Sequence, residues 1–148
     1  MPSDTSAVLD KQNLENKDAP EAAKVEPEYE FGGRHLIASY IECDPDRLRS
    51  IRDLDRAMRE AIVASGATVV KDSRHTFPGG GITNVYLLSE SHASIHTYPE
   101  HNSCFVDIFT CGYECDPTKF DEVLMEYFKP KTSSRRLTNR GVMNVDLT

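Results

Sequence analysis

The tetrapeptide Glu-Cys-Asp-Pro occurs twice, at 42–45 and again at 114–117, each time between a strand-like run and a helix-like one. Aspartate followed by proline is a strong helix start, because the carboxylate caps free amides and proline needs no donor at the first helical position. Before the first copy, RHLIASYIE (34–42) is rich in β-formers. After it, Leu48, Ile51, Leu54, Met58 and Ile62 recur at three- and four-residue steps, which predicts one amphipathic helix running to Gly66. After the second copy, Phe120, Val123, Leu124, Tyr127 and Phe128 mark one side of another helix.

The intervening chain reads as strands at 67–77, 82–89, 92–98 and 104–110, with a final strand inside 131–140. Pro78-Gly79-Gly80-Gly81 is a turn or a loop close to a ligand, and Pro99-Glu100-His101-Asn102 separates two of the strands. The expected class is α+β, a two-layer sandwich with a largely antiparallel sheet and two main helices on one face. The echo fits two related strand-helix units, or a good helix start used twice.

At 148 residues the chain suits one domain with one core. Residues 1–32 are polar and acidic and should form a disordered tail, leaving 33–148 as the folded unit. Eight acids against three lysines in the first thirty residues account for −5 of the net −7. The remainder is close to neutral, which argues against a nucleic-acid partner. There is no apolar run of membrane-spanning length and no signal-peptide pattern, so a cytoplasmic protein without a membrane partner is expected. Cys43, Cys104, Cys111 and Cys115 form no CxxC pair and read as separate thiols.

The stretch LLSESHASIHTYPE (87–100) crowds Glu90, Ser91, His92 and His96 together. Three chemistries compete for it. A serine hydrolase would pair Ser91 with His96, but residues five apart on a strand face opposite ways, and the glycine elbow that exposes such a serine is missing. A metal site would draw on His92, His96, His101, Cys104, Cys111 and Cys115, yet their spacing matches no zinc template and no metal is expected. The third reading makes Glu90-Ser91 a bond to be broken. The Ser91 hydroxyl attacks the carbonyl before it and converts the amide to an ester. A base then removes the Ser91 α-proton, which expels the Glu90 carboxylate and breaks the chain. Hydrolysis of the resulting dehydroalanine releases ammonia and leaves a pyruvoyl ketone, an electron sink of the kind pyridoxal phosphate otherwise supplies.

SESHASIHTYPE (89–100) followed by FVDIFTCG (105–112) closely resembles the small prokaryotic S-adenosylmethionine decarboxylase proenzymes. Their hallmark is Glu-Ser-His-x-Ser-Ile-His-Thr-x-Pro-Glu and then Asp-x-x-Thr-Cys-Gly. The likeness runs from Gly32 to about Gly141. It implies self-cleavage between Glu90 and Ser91, with Ser91 becoming the pyruvoyl group that forms a Schiff base with the substrate amine. His96 would be the processing base, Thr83 would assist the acyl shift where the family usually has serine, and Cys111 would return a proton to the substrate after carbon dioxide leaves. Phe77 and Tyr98 would hold the adenine, and Glu100 the ribose. The implied cofactor is the pyruvoyl group alone, with no metal and no pyridoxal phosphate. The implied assembly is a homodimer of processed two-chain protomers that supplies the aminopropyl donor for spermidine.

Two departures fall in the part that would grip adenosine. Tyr98 stands where tryptophan is usual, and Phe77-Pro-Gly-Gly-Gly replaces a Ser-Pro-Gln-Gly style of loop. They leave open a relative acting on another amino acid, such as arginine or ornithine. An inactive homologue that regulates an active partner is a third reading, opposed by the presence of Ser91, His96 and Cys111 together.

Overall fold

A computed structural model describes residues 31–141. The expected acidic tail therefore lies outside the described residues except at its inner edge, where Gly32 already pairs with Gly141 in the sheet. Six strands form a single sheet in the order β2-β3-β4-β5-β1-β6. They span β1 Gly32–Ile41, β2 Val69–Thr76, β3 Ile82–Leu88, β4 Ser91–Tyr98, β5 Ser103–Cys111 and β6 Thr132–Gly141. Every adjacent pair is antiparallel. Among the described residues no helix is long and apolar enough to cross a membrane.

Strand alternation separates the two faces. Leu36, Ala38 and Tyr40 of β1, Ile82 and Tyr86 of β3, Ala93 and Ile95 of β4, and Cys104, Val106 and Ile108 of β5 are buried together with the helices. Their neighbours one residue along point to the opposite, uncovered face. The helix layer carries Leu54, Met58, Ile62, Phe120, Leu124 and Phe128 into the same core.

The helix expected to run from Asp44-Pro45 to Gly66 is two helices, α1 Pro45–Arg49 and α2 Ile51–Ala64. Ser50 divides them. Its backbone is extended (φ −90°, ψ 104°), and its hydroxyl accepts the Asp53 amide at 3.2 Å. A serine able to cap the amide three residues on offers the chain an alternative to continuing the first helix. The second helix ends as expected, with Gly66 at φ +93°. After Asp116, α3 spans Pro117–Phe128.

The two Glu-Cys-Asp-Pro copies are used alike. Asp44 accepts the Asp46 amide and Asp116 accepts the Thr118 amide, while Cys43 and Cys115 are both buried. The Asp44 amide donates to Phe128 O at the end of α3, and the Asp116 amide donates to Ser65 O at the end of α2. The start of α1 is thus tied to the end of α3 and the start of α3 to the end of α2, which sets α2 and α3 antiparallel beneath the sheet.

Two buried tyrosines join the layers. Tyr40 donates to Asp121 of α3 at 2.6 Å, and Tyr86 donates to Asp55 of α2 at 2.7 Å. Burial, reinforced by these carboxylates, raises both phenols well above their ordinary value near 10. A raised folded-state value means that the folded protein holds the proton more tightly than the unfolded chain. Their contribution to stability should be complete below pH 10 and fall away above it. Denaturant midpoints recorded against pH should show that break, with Tyr40 and Tyr86 ionising only as the protein unfolds.

Candidate functional site

β4 and β5 carry most of the residues that the sequence singles out. On the uncovered face β4 presents His92, Ser94, His96 and Tyr98, and β5 presents Phe105, Asp107, Phe109 and Cys111. Ser91 lies opposite Thr110 in the β4–β5 register, and His96 lies opposite Phe105. β4 is unbroken between them, so His96 sits roughly 16 Å along the strand from Ser91. The chain bends at Ser89-Glu90, ahead of the strand, and does not bring Ser91 to His96 as a hydrolase pair requires.

At the Ser91 end, three features converge on the Glu90-Ser91 peptide. Ser91 has φ +156°, a region in which side chains other than glycine's are strained. The Glu90 carbonyl accepts the Cys111 backbone amide at 2.8 Å. The Glu90 carboxylate is held by the Thr68 amide at 3.0 Å. The peptide is strained at its serine, and the amide aimed at its carbonyl oxygen would stabilise negative charge developing there.

Cys111 differs from the other three thiols. Cys43, Cys104 and Cys115 are buried, whereas Cys111 is exposed. Burial, with the nearby Glu90 and Cys111 adding to it, pushes the Cys115 thiol up. Gly33 makes room for this corner: a Cβ there would come within 2.3 Å of Thr110 O and 2.9 Å of the Cys111 Cα. The Arg34 guanidinium donates to the carbonyls of Tyr113 and Cys115 and ties down the loop that follows.

The other end of β4 holds a second group. Thr83 Oγ1 lies 2.6 Å from His96 Nδ1 across the β3–β4 pair. The His96 ring is flanked by Phe77, with centroids 5.5 Å apart, and by Tyr98 at 4.5 Å. Tyr98 in turn meets Phe105 at 5.4 Å. Phe77 and Tyr98, expected to act together, therefore do stand together, with His96 between them. Glu100 is exposed in a single 3-10 turn, Pro99–His101, that follows Tyr98.

One cluster escaped the sequence reading. His35 Nε2 lies 2.8 Å from Asp107 Oδ2, Ser94 Oγ donates to Asp107 Oδ1, and His92 Nε2 is 3.7 Å from Asp107 Oδ2. His35, His92 and Asp107 each place a ligand-type atom within 4.8 Å of the others, a spacing that a small cation could bridge, although here those atoms face one another. The cluster joins β1, β4 and β5, and nothing in sequence order brings those strands together. The cysteines weighed with His92 and His96 as metal ligands are not part of it.

Comparison with known proteins points to one family. The family model described as S-adenosylmethionine decarboxylase matches residues 34–141. An S-adenosylmethionine decarboxylase proenzyme of Thermotoga maritima is 41% identical over 99 residues, covering 67% of this chain and 76% of that protein. One of Bacillus cytotoxicus is 33% identical over 115 residues, covering 78% and 88%. The crystal structure of the adenosylmethionine decarboxylase from Aquifex aeolicus superposes with a TM-score of 0.70 at 27% identity, covering 80% of this chain and 98% of that one.

Proposed function

The chain belongs to the S-adenosylmethionine decarboxylase family, and on that premise we propose that it cleaves itself between Glu90 and Ser91 and then decarboxylates S-adenosylmethionine. The product is the aminopropyl donor for spermidine synthesis. The observation that carries the reading is the Glu90 carbonyl held 2.8 Å from the Cys111 amide beside a serine at φ +156°.

Strain of this kind is worth about 1–3 kcal/mol, which raises the peptide toward the state in which Ser91 Oγ attacks the Glu90 carbon. The Cys111 amide meets the charge that develops on the Glu90 oxygen. His96 then serves as the base for the Ser91 α-proton, with Thr83 orienting its ring. The local structure fits a ketone made at position 91: the Thr110 hydroxyl, directly opposite Ser91, is buried without a hydrogen-bond partner among the described residues. The pyruvoyl ketone supplies the sink into which the electrons of the departing carboxylate flow. Cys111, exposed at the same corner, delivers the proton that replaces the carboxylate.

The two ends of β4 must meet for this to work, and within one chain they do not. Two copies laid face to face about a two-fold axis, with their β4 strands antiparallel, bring the Thr83–His96 pair and the Phe77–Tyr98 clamp of each copy over Ser91 of the other. The uncovered face suits such a dimer. Ile37 is 51% exposed, Val85 46%, Leu87 54% and Phe105 46%, an unusual apolar showing for a sheet face left in water. Among the described residues the helices cover only the other face. Four unbridged thiols fit a reducing, cytoplasmic setting.

Release of carbon dioxide from S-adenosylmethionine, arginine and ornithine, each supplied separately to the cleaved protein, tests the substrate. Turnover confined to S-adenosylmethionine is expected. Preference for either amino acid would keep the pyruvoyl chemistry and overturn the substrate. Tyr98→Ala should raise KM far more than it lowers kcat, because its ring holds substrate without touching the reacting carbon.

A further inference from the structure

We propose that His92 is the base that removes the Ser91 hydroxyl proton in the first step of self-cleavage, and that Asp107 positions it. The inference rests on the self-cleavage reading above but assigns a residue and a step that the reading leaves unfilled. His96 is too far along β4 to serve Ser91 of its own chain, whereas His92 Nδ1 is 3.0 Å from Ser91 Oγ.

That contact is not what a strand normally allows, because neighbouring residues project to opposite faces. It exists because Ser91 departs from regular strand geometry, at φ +156°. The strained serine and the histidine that reaches its hydroxyl are thus one feature. The opposite side of the ring decides which nitrogen is bare. His92 Nε2 faces Asp107 Oδ2 at 3.7 Å, long for a hydrogen bond but close enough for the carboxylate to favour a proton on Nε2. Nδ1 is then an acceptor, turned toward the hydroxyl that must lose its proton.

Asp107 is held from both sides. Ser94 donates to Oδ1, and His35 Nε2 sits at Oδ2, 2.8 Å away. Arg140 Nη1 lies 3.5 Å from His35 Nδ1, which keeps that nitrogen unprotonated and places the His35 proton on the Asp107 side. The order Ser91, His92, Asp107 reproduces the roles of nucleophile, base and orienting carboxylate on strands β4 and β5.

The step balances without any co-reactant. The Ser91 hydroxyl proton passes to His92 Nδ1 as Oγ bonds to the Glu90 carbon, and the Cys111 amide holds the resulting oxyanion. Collapse of the adduct breaks the bond from the Glu90 carbon to the Ser91 nitrogen, and the same proton returns from Nδ1 to that nitrogen. The amide has become an ester. A second base, removing the α-proton, is needed only afterwards, so His92 and His96 would act in sequence on different protons.

Hydroxylamine, which splits esters and spares amides, separates the two steps. His96→Ala should stall as the ester and be cut by hydroxylamine at position 91. His92→Ala should stall before it, cleave at least about 100-fold more slowly than wild type and resist hydroxylamine, with partial recovery on adding free imidazole. His92→Gln, which keeps the bulk, should behave the same while retaining the wild-type melting temperature. Wild-type cleavage kinetics in either His92 variant, or a stalled His92 variant that hydroxylamine cuts, would overturn the assignment. A wild-type chain that never cleaves would instead overturn the self-cleavage reading itself. Asp107 is tested in uncleaved Ser91→Ala protein by nitrogen NMR of the ring. The His92 proton should reside on Nε2 and lose that preference when Asp107→Asn is added, and a proton on Nδ1 in the single variant would contradict the positioning role.

Discussion

Replacing Ser91 with alanine should leave one intact chain with no decarboxylase activity. The side-chain oxygen is the attacking atom, and alanine removes it. The loss should be complete on both counts, below detection for cleavage and for carbon dioxide release. The fold should survive, because Ser91 lies at the very start of β4 and contributes nothing to the apolar core. Appearance of two fragments in this variant, seen on a denaturing gel after prolonged incubation, would remove Ser91 from the reaction.

Replacing Cys111 with alanine should separate the two activities instead. What the scissile carbonyl meets is the backbone amide at position 111, and alanine keeps it. Cleavage should therefore proceed at close to the wild-type rate. Decarboxylation should fall by about 100-fold or more, since a positioned proton donor contributes on that scale. Without the thiol, a proton reaching the protein-derived carbon rather than the substrate carbon transfers the substrate's amine to the protein and disables it. Turnover should accordingly stop early as well as run slowly. Time courses of carbon dioxide release, normalised to the amount of cleaved chain, distinguish this from a simple processing defect. A cleaved variant with wild-type turnover would show that Cys111 is not the donor.

Much of the fold could be read along the chain because its signals are local. Alternation runs through β3, from His92 on β4 and from Cys104 on β5, and aspartate-proline marks the starts of α1 and α3. The break at Ser50 was also written locally, as a serine three residues before Asp53, but the apolar spacing from Leu48 to Ile62 runs straight through it and suggests one continuous helix. Periodicity reports which face is buried. It does not report whether the backbone pauses between turns.

The site divides differently. The linear motif places Ser91 and His96 five positions apart in the sequence, whereas an extended strand holds them roughly 16 Å apart. Closeness along the chain here meant separation in space. The converse holds for His35 and Asp107, which are 72 residues apart in the sequence and hydrogen-bonded at 2.8 Å. Their meeting depends on β1 entering the sheet between β5 and β6, an order that no local pattern encodes. The strain at Ser91 and the contact it permits with His92 belong to the three-dimensional structure.

Intact mass analysis of freshly purified wild-type protein under denaturing conditions tests the central claim most directly. Two fragments are predicted, one ending at Glu90 and the other beginning at position 91, the latter lighter by one ammonia than the corresponding serine-terminated peptide and blocked to Edman degradation. A single uncleaved chain, or a second fragment beginning with an ordinary serine, would contradict it.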